Sequence, residues 1–112
     1  MIDVVICGGF SPGARVLRAA IRGVCEEKEI RVVTLTPAMA GIEQSVEEVR
    51  SMAPAQLVVI DACEGGCGIQ SLAHFGLTPR AKLILKKYPS CSEKNVQDAR
   101  EKILDFLSGV SE

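Results

Sequence analysis

Five cysteines in 112 residues are the first feature of this chain that could do chemistry. Two of them, Cys63 and Cys67, are separated only by Glu64, Gly65 and Gly66, and they follow an apolar run, Leu57 to Ile60, that ends in Asp61 and Ala62. Cys7 stands in a similar setting, after the apolar run Ile2 to Ile6 and before Gly8-Gly9-Phe10-Ser11-Pro12. Cys91 lies in Tyr88-Pro89-Ser90-Cys91-Ser92-Glu93. Thiolates are soft ligands and strong nucleophiles, so a cluster of them points to metal binding or thiol chemistry. A disulfide scaffold is the other common use of many cysteines, but it belongs to loop-rich secreted chains without regular helix–strand alternation.

The elements that must position these cysteines alternate regularly. Ile2–Ile6, Ile30–Leu35, Leu57–Ile60 and Ala81–Leu85 are short, β-branched and bounded by turn residues, as buried parallel strands are. Ser11 with Pro12 and Thr36 with Pro37 are N-cap and first-position pairs for the helices that follow. Val16, Leu17, Ala20, Ile21 and Val24 recur at helical spacing, with Arg15, Arg18 and Arg22 facing out. In the second helix Ile42, Val46, Val49 and Met52 or Ala53 share the apolar face, with regular helix possible only beyond Gly41, and Pro54 ends it. Ile69, Leu72 and Ala73 line the third, which stops near Gly76. Val96, Ala99, Ile103, Phe106 and Leu107 line the fourth, which Gly109 closes.

The start of that fourth helix has two readings. Ser90 with Glu93 forms a capping box that puts Cys91 in the first turn, and Ser92 is the alternative cap.

Strict β-α alternation without hairpin signals predicts a three-layer, Rossmann- or flavodoxin-like α/β fold. The expected sheet has four parallel strands in the order 2-1-3-4. One domain, residues 1–112 with a short tail at 109–112, accommodates the length. In a parallel sheet every strand-to-helix loop emerges at one edge, so Cys7, Cys63, Cys67 and Cys91 are expected together there. Strands one and three would be neighbours, ~4.8 Å apart, within reach of one ion. Cys25 falls at the opposite edge, four residues after Ile21, and is expected as a packed core thiol. His74, about seven residues or ~10 Å beyond Cys67 along a helix, is expected at the surface or a helix end.

Four converging thiolates suit zinc in a tetrahedral site, with Zn–S near ~2.3 Å. An iron–sulfur cluster accepts the same ligand type. Thiol redox chemistry more often spaces its pair by two residues. A different class of reading needs Cys7 alone: a cysteine at a strand end, a Gly-rich turn and a helix N-terminus cradle anions. That arrangement resembles the phosphocysteine loop of small phosphotransferase-system IIB domains. A tyrosine-phosphatase loop is excluded, because Gly13 and Ile69 occupy the positions that would require arginine after Cys7 and Cys63.

Bulk composition narrows the partners. The net charge is −1 and the basic residues are dispersed, so no nucleic-acid or anionic-membrane surface is expected. Apolar runs are too short to span a bilayer, no signal peptide or anchor is visible, and a cytoplasmic protein is the default expectation.

Three segments taken together, Cys7-Gly8-Gly9-x-Ser11, Met39-Ala40-Gly41-Ile42 and Ile60-Asp61-x-Cys63-x3-Cys67, resemble the DGC-domain family of putative zinc-binding proteins. The resemblance covers residues 4 to about 75 and implies zinc binding through Cys7, Cys63 and Cys67, with no established reaction. Two departures stand out. The family's Asp-Gly-Cys is Asp61-Ala62-Cys63 here, and a cysteine usual just before the family's Leu-Ala-Gly-Ile segment is replaced by Ala38. Cys91 is the candidate to take the missing place, a water or a substrate being the alternatives. Asp61 is expected to orient the loop from behind the ligands rather than to bind the metal.

Overall fold

The fold was obtained as a computed structural model that describes residues 2–6, 11–34, 41–62, 67–85 and 88–110, with backbone only at 54, 67–69 and 71. Four strands, β1 (Ile2–Ile6), β2 (Ile30–Thr34), β3 (Leu57–Asp61) and β4 (Ala81–Ile84), form one sheet. All pairs are parallel, as the alternation of elements predicts, and the order is β2-β1-β3-β4, the flavodoxin-like order expected. The helices are α1 (Pro12–Glu27), α2 (Glu43–Arg50), α3 (Cys67–His74) and α4 (Glu93–Val110), and a short 3-10 turn, Pro54–Gln56, leads into β3.

Side chains alternate across each strand, so each strand feeds two cores. Val4 and Ile6 of β1 and Val58 and Ile60 of β3 pack under α1 and α4, with Leu17, Ile21, Val24, Ile103 and Leu107. Val5, Leu57 and Val59 face the other way, against Val49 and Met52 beyond β2 and Leu72 of α3. Helices therefore cover both faces, and β3 is buried along its whole length.

The helix signals explain the boundaries. Ser11 caps α1, its Oγ accepting the Ala14 N–H at 3.2 Å and its carbonyl the Arg15 N–H at 3.1 Å, with Pro12 at the first helical position. α3 ends in a Schellman motif: Gly76, at φ +73, donates to Ala73, and Leu77 donates to Leu72 while packing on the same core cluster.

Five readings of the sequence need correction. Cys25 is exposed rather than packed, because the buried stripe of α1 ends at Val24 and Cys25 falls beside exposed Glu26, Glu27 and Lys28. Ile42 is 53% exposed: Gly41, at φ +82, interrupts the backbone, and α2 begins only at Glu43. Ala73, expected on the apolar face of α3, is exposed, and Leu72 alone is buried there among the described side chains. The cap of α4 is Ser92, not Ser90, with its Oγ accepting the Asn95 N–H at 3.2 Å, so Cys91 precedes the helix. Gly109 does not close α4, which continues through Val110. Thr36-Pro37, Leu35 and Met39-Ala40 lie outside the described residues.

An ion pair locks the outer strand. Asp3 and Arg31 are register partners on β1 and β2, and the guanidinium grips the carboxylate twice, Nε to Oδ1 at 2.8 Å and Nη2 to Oδ2 at 3.0 Å. The hydrogen bonds to Asp3 hold the Arg31 pKa above its ordinary value, with a smaller attraction from Glu48 of α2.

Candidate metal centre

The site expected from the sequence lies at the carboxyl edge of the sheet, and two of its residues, Cys7 and Cys63, lie outside the described residues. Their neighbours are described. Ile6 and Ile60 are register partners on adjacent parallel strands, so the strand that leads to Cys7 and the strand that leads to Cys63 end side by side. Central position in the sheet follows from composition: both strands are rich in β-branched residues and buried on both faces.

The N-terminus of α1 closes on the same place. A Cβ placed on Gly13 would stand 3.2 Å from the Ala62 carbonyl oxygen and 3.7 Å from the Ala62 Cβ. Ser11, the first described residue after the Cys7 segment, lies beside it, its Oγ 3.9 Å from the same point. Ser11 and Ala62, the described residues that flank the Cys7 and Cys63 segments, thus both lie about Gly13. The N-terminus of a 16-residue helix brings its partial positive charge to this edge, where it favours anions and thiolates.

Asp61 is wholly buried at the end of β3. Its carbonyl accepts the Leu85 N–H at 2.8 Å, which ties the end of β3 to the end of β4. Strand alternation points its carboxylate to the face covered by α2 and α3. Cys67 is the first residue of α3, on that same face.

Cys91 is set apart from these. It is exposed, precedes α4, and lines a groove with Ala19 and Gly23 of α1, with the cap Ser92, and with Val96 and Arg100 of α4. Its described surroundings are the middle of α1 rather than the sheet edge. His74 is the last residue of α3, exposed and edge-on to Phe75, in keeping with a helix-end histidine. Among the described residues no group of three or more His, Cys, Asp or Glu side chains is placed to hold a metal ion. Thiolate, the donor type that the sequence offers after β1 and β3, has the softness that zinc-type ions select.

The family model for the DGC domain matches residues 3–106. The chain belongs to the DGC domain family. No curated protein and no solved structure matches it. The match extends well past the three motif segments, through β4 and most of α4, so all four strands and both helix layers are part of the family's domain. Within this DGC domain, Ala62 stands where the motif has glycine, and its Cβ faces Gly13, which has none. No helix among the described residues is long and apolar enough to cross a membrane.

Two features of the fold are not legible in sequence pattern. The contact of Gly13 with Ala62 joins residues 49 apart in the chain, and Pro12-Gly13 reads simply as a helix start. The Asp3–Arg31 fork depends on strand register, which only the sheet sets.

Proposed function

We propose that this DGC domain binds a zinc-type metal ion at the carboxyl edge of its sheet. Cys7, Cys63 and Cys67 are the ligands, and Cys91 is the candidate for the fourth position. The observation that carries this reading is the pairing of Ile6 with Ile60, with Gly13 against Ala62, which sets side by side the ends of the two strands that lead to the cysteine segments. Bound there, the metal supplies a fixed tetrahedral anchor for the loops, or Lewis acidity if the fourth position is open.

The chain's own residues do the positioning. α1 stabilises thiolate through its N-terminal partial charge. Asp61, buried at the end of β3 two residues before Cys63, orients that loop without binding the metal. Cys91 completes a four-thiolate set only if its segment turns away from the α1–α4 groove that it lines. The free thiols at Cys25 and Cys91 suit a reducing compartment such as the cytoplasm.

Elemental analysis of protein purified without added metal tests the reading. About one zinc per chain is expected, as a single tetrahedral site requires. Cys63→Ser or Cys67→Ser should abolish it, and Cys25→Ser should leave it intact. Retention of zinc in Cys91→Ser would assign the fourth position to water or substrate. Iron in place of zinc would redirect the site to a cluster. Absence of metal, with phosphate labelling confined to Cys7, would overturn the reading in favour of phosphocysteine transfer.

A further inference from the structure

We propose that the face covered by α2 and α3 is a self-complementary surface on which two copies of this chain pair about a two-fold axis. Ile42 and Glu43 of one copy meet Ile84 and Lys82 of the other. The proposal goes beyond the metal-binding reading and does not depend on it.

Charge is sorted across the sheet. The basic residues are spread along the chain, but the acids are not spread with them. Residues 32–49 carry three glutamates and no lysine or arginine, while residues 65–92 carry four basic residues and no acid. The first stretch belongs to the β2 and α2 side and the second to the α3 and β4 side. β2 and β4 are the opposite edges of the sheet, three strand spacings or ~14 Å apart. Both α1 and α4, in contrast, carry the two signs mixed. Glu43, Glu47, Arg80 and Lys82 are exposed, and none of them makes an ion pair with another described residue. One flank of the α2 and α3 face is therefore acidic and the other basic, with charge to offer a partner.

Each flank also carries an exposed isoleucine. Ile42, at 53%, and Ile84, at 41%, are the large apolar side chains left exposed among the described residues. Ala81 and Leu83 pack on the core under α1 and α4, so Lys82 and Ile84 point to the opposite face. Ile84 ends β4 at the carboxyl edge of the sheet. Because α2 follows the carboxyl end of β2 and returns to the start of β3, Ile42, just before its first residue, lies toward that same edge. Ile42 holds the cap position of α2 without a side-chain cap bond, where serine or aspartate serves a helix better. The chain thus keeps an exposed apolar residue where the helix itself favours a polar one. An isoleucine beside an acid on one flank and an isoleucine beside a base on the other share one face and one edge. A two-fold axis between them makes each flank meet its complement, twice per dimer. With a net charge of −1, no overall repulsion opposes the pairing. A side-by-side contact of acidic flank on basic flank satisfies the same charges but never closes, and it grows into a filament.

Sedimentation in reducing buffer, where the exposed Cys25 and Cys91 cannot cross-link copies, tests the proposal. The wild-type chain should pass from monomer to dimer as its concentration rises toward the millimolar range, and stop there. A monomer throughout, or a mass that keeps growing, would overturn the proposal. Glu43→Lys and Lys82→Glu should each weaken the dimer on the order of a hundredfold, since either one sets two like-charge contacts in a two-fold pair. Mixed in equal amounts, the two variants should pair again near wild-type strength, because both contacts then join opposite charges. That recovery also shows that each variant is folded. Variants that stay dimeric alone, or a mixture that stays monomeric, contradict the proposal. Ile42→Ser should weaken the dimer while raising the thermal midpoint of the monomer through the cap it supplies. Unchanged dimerisation in Ile42→Ser contradicts it as well.

Discussion

The two ends of α1 meet the rest of the protein in different ways. At the N-terminal end Gly13 faces a backbone carbonyl, that of Ala62, on the central strand. Toward the C-terminal end Gly23 faces a side chain, Arg100 of α4, whose Cδ and Nε lie 3.3 Å from the position of an added Cβ. Arg100 is in turn held by Glu27 at 3.0 Å, an ion pair that both partners leave partly exposed. One end is fixed by atoms that cannot move independently, and the other by a long side chain that can re-aim. The rigid end is also the end that follows the Cys7 segment in the chain and faces the residue before Cys63, while Cys25, at the compliant end, is exposed. A ligand site needs fixed distances, and a helix–helix seam only needs to exclude water.

The compliant end depends on how firmly α4 is seated, and Tyr88 provides a way to loosen it. Tyr88 is buried in the core shared by α1 and α4, and its hydroxyl donates to Asp98 Oδ2 at 2.7 Å. Asp98 also accepts Lys102 at 3.1 Å. Burial first, then the hydrogen bond to Asp98, raises the Tyr88 pKa well above the ordinary tyrosine value of 10.0. The folded state therefore favours the neutral phenol. Its contribution to stability is complete below pH 10.0 and declines as pH rises above that value toward the folded-state pKa. Tyr88→Phe should cost about 1–2 kcal/mol at neutral pH, because Asp98 keeps Lys102 but loses a buried donor. The variant should also show a shallower loss of stability in alkali. Urea unfolding at neutral and alkaline pH checks both, and Tyr88 is the sole tyrosine, so phenolate absorbance reports on it alone.

At the rigid end, Ser11→Ala removes the cap of α1. It should lower stability by about 1 kcal/mol, read as a shift in the urea midpoint with an unchanged slope.

The smallest effect is expected at Gly23. Alanine there is the better helix former and Arg100 can move aside, so Gly23→Ala should change stability by less than about 0.5 kcal/mol. A large loss in thermal unfolding would show that the seam is as rigid as the Ala62 contact and would erase the contrast.

The pattern of residues carries much of this architecture. Val4-Val5-Ile6, Val32-Val33, Val58-Val59-Ile60 and the helix stripes are local signals, the parallel sheet follows from alternation, and the order 2-1-3-4 is the flavodoxin-like one expected. Where local pattern failed, a local reason is visible. Cys25 has core spacing from Ile21, but the stripe it would extend has already ended at Val24. Ile42 has core spacing from Val46, but Gly41 turns the chain before the helix begins. The candidate site divides the same way. That Cys7 and Cys63 follow neighbouring strands is legible from the topology, and the neighbouring strands are observed. The wedge-free contact of Gly13 with Ala62 depends on how a helix docks on a sheet, which no spacing encodes.

The central claim is that thiolates from the β1 and β3 loops converge on one ion. X-ray absorption of the zinc-loaded chain measures that directly by counting the sulfur neighbours of the metal. Three or four sulfurs near ~2.3 Å are expected. A shell of nitrogen and oxygen without sulfur would contradict it.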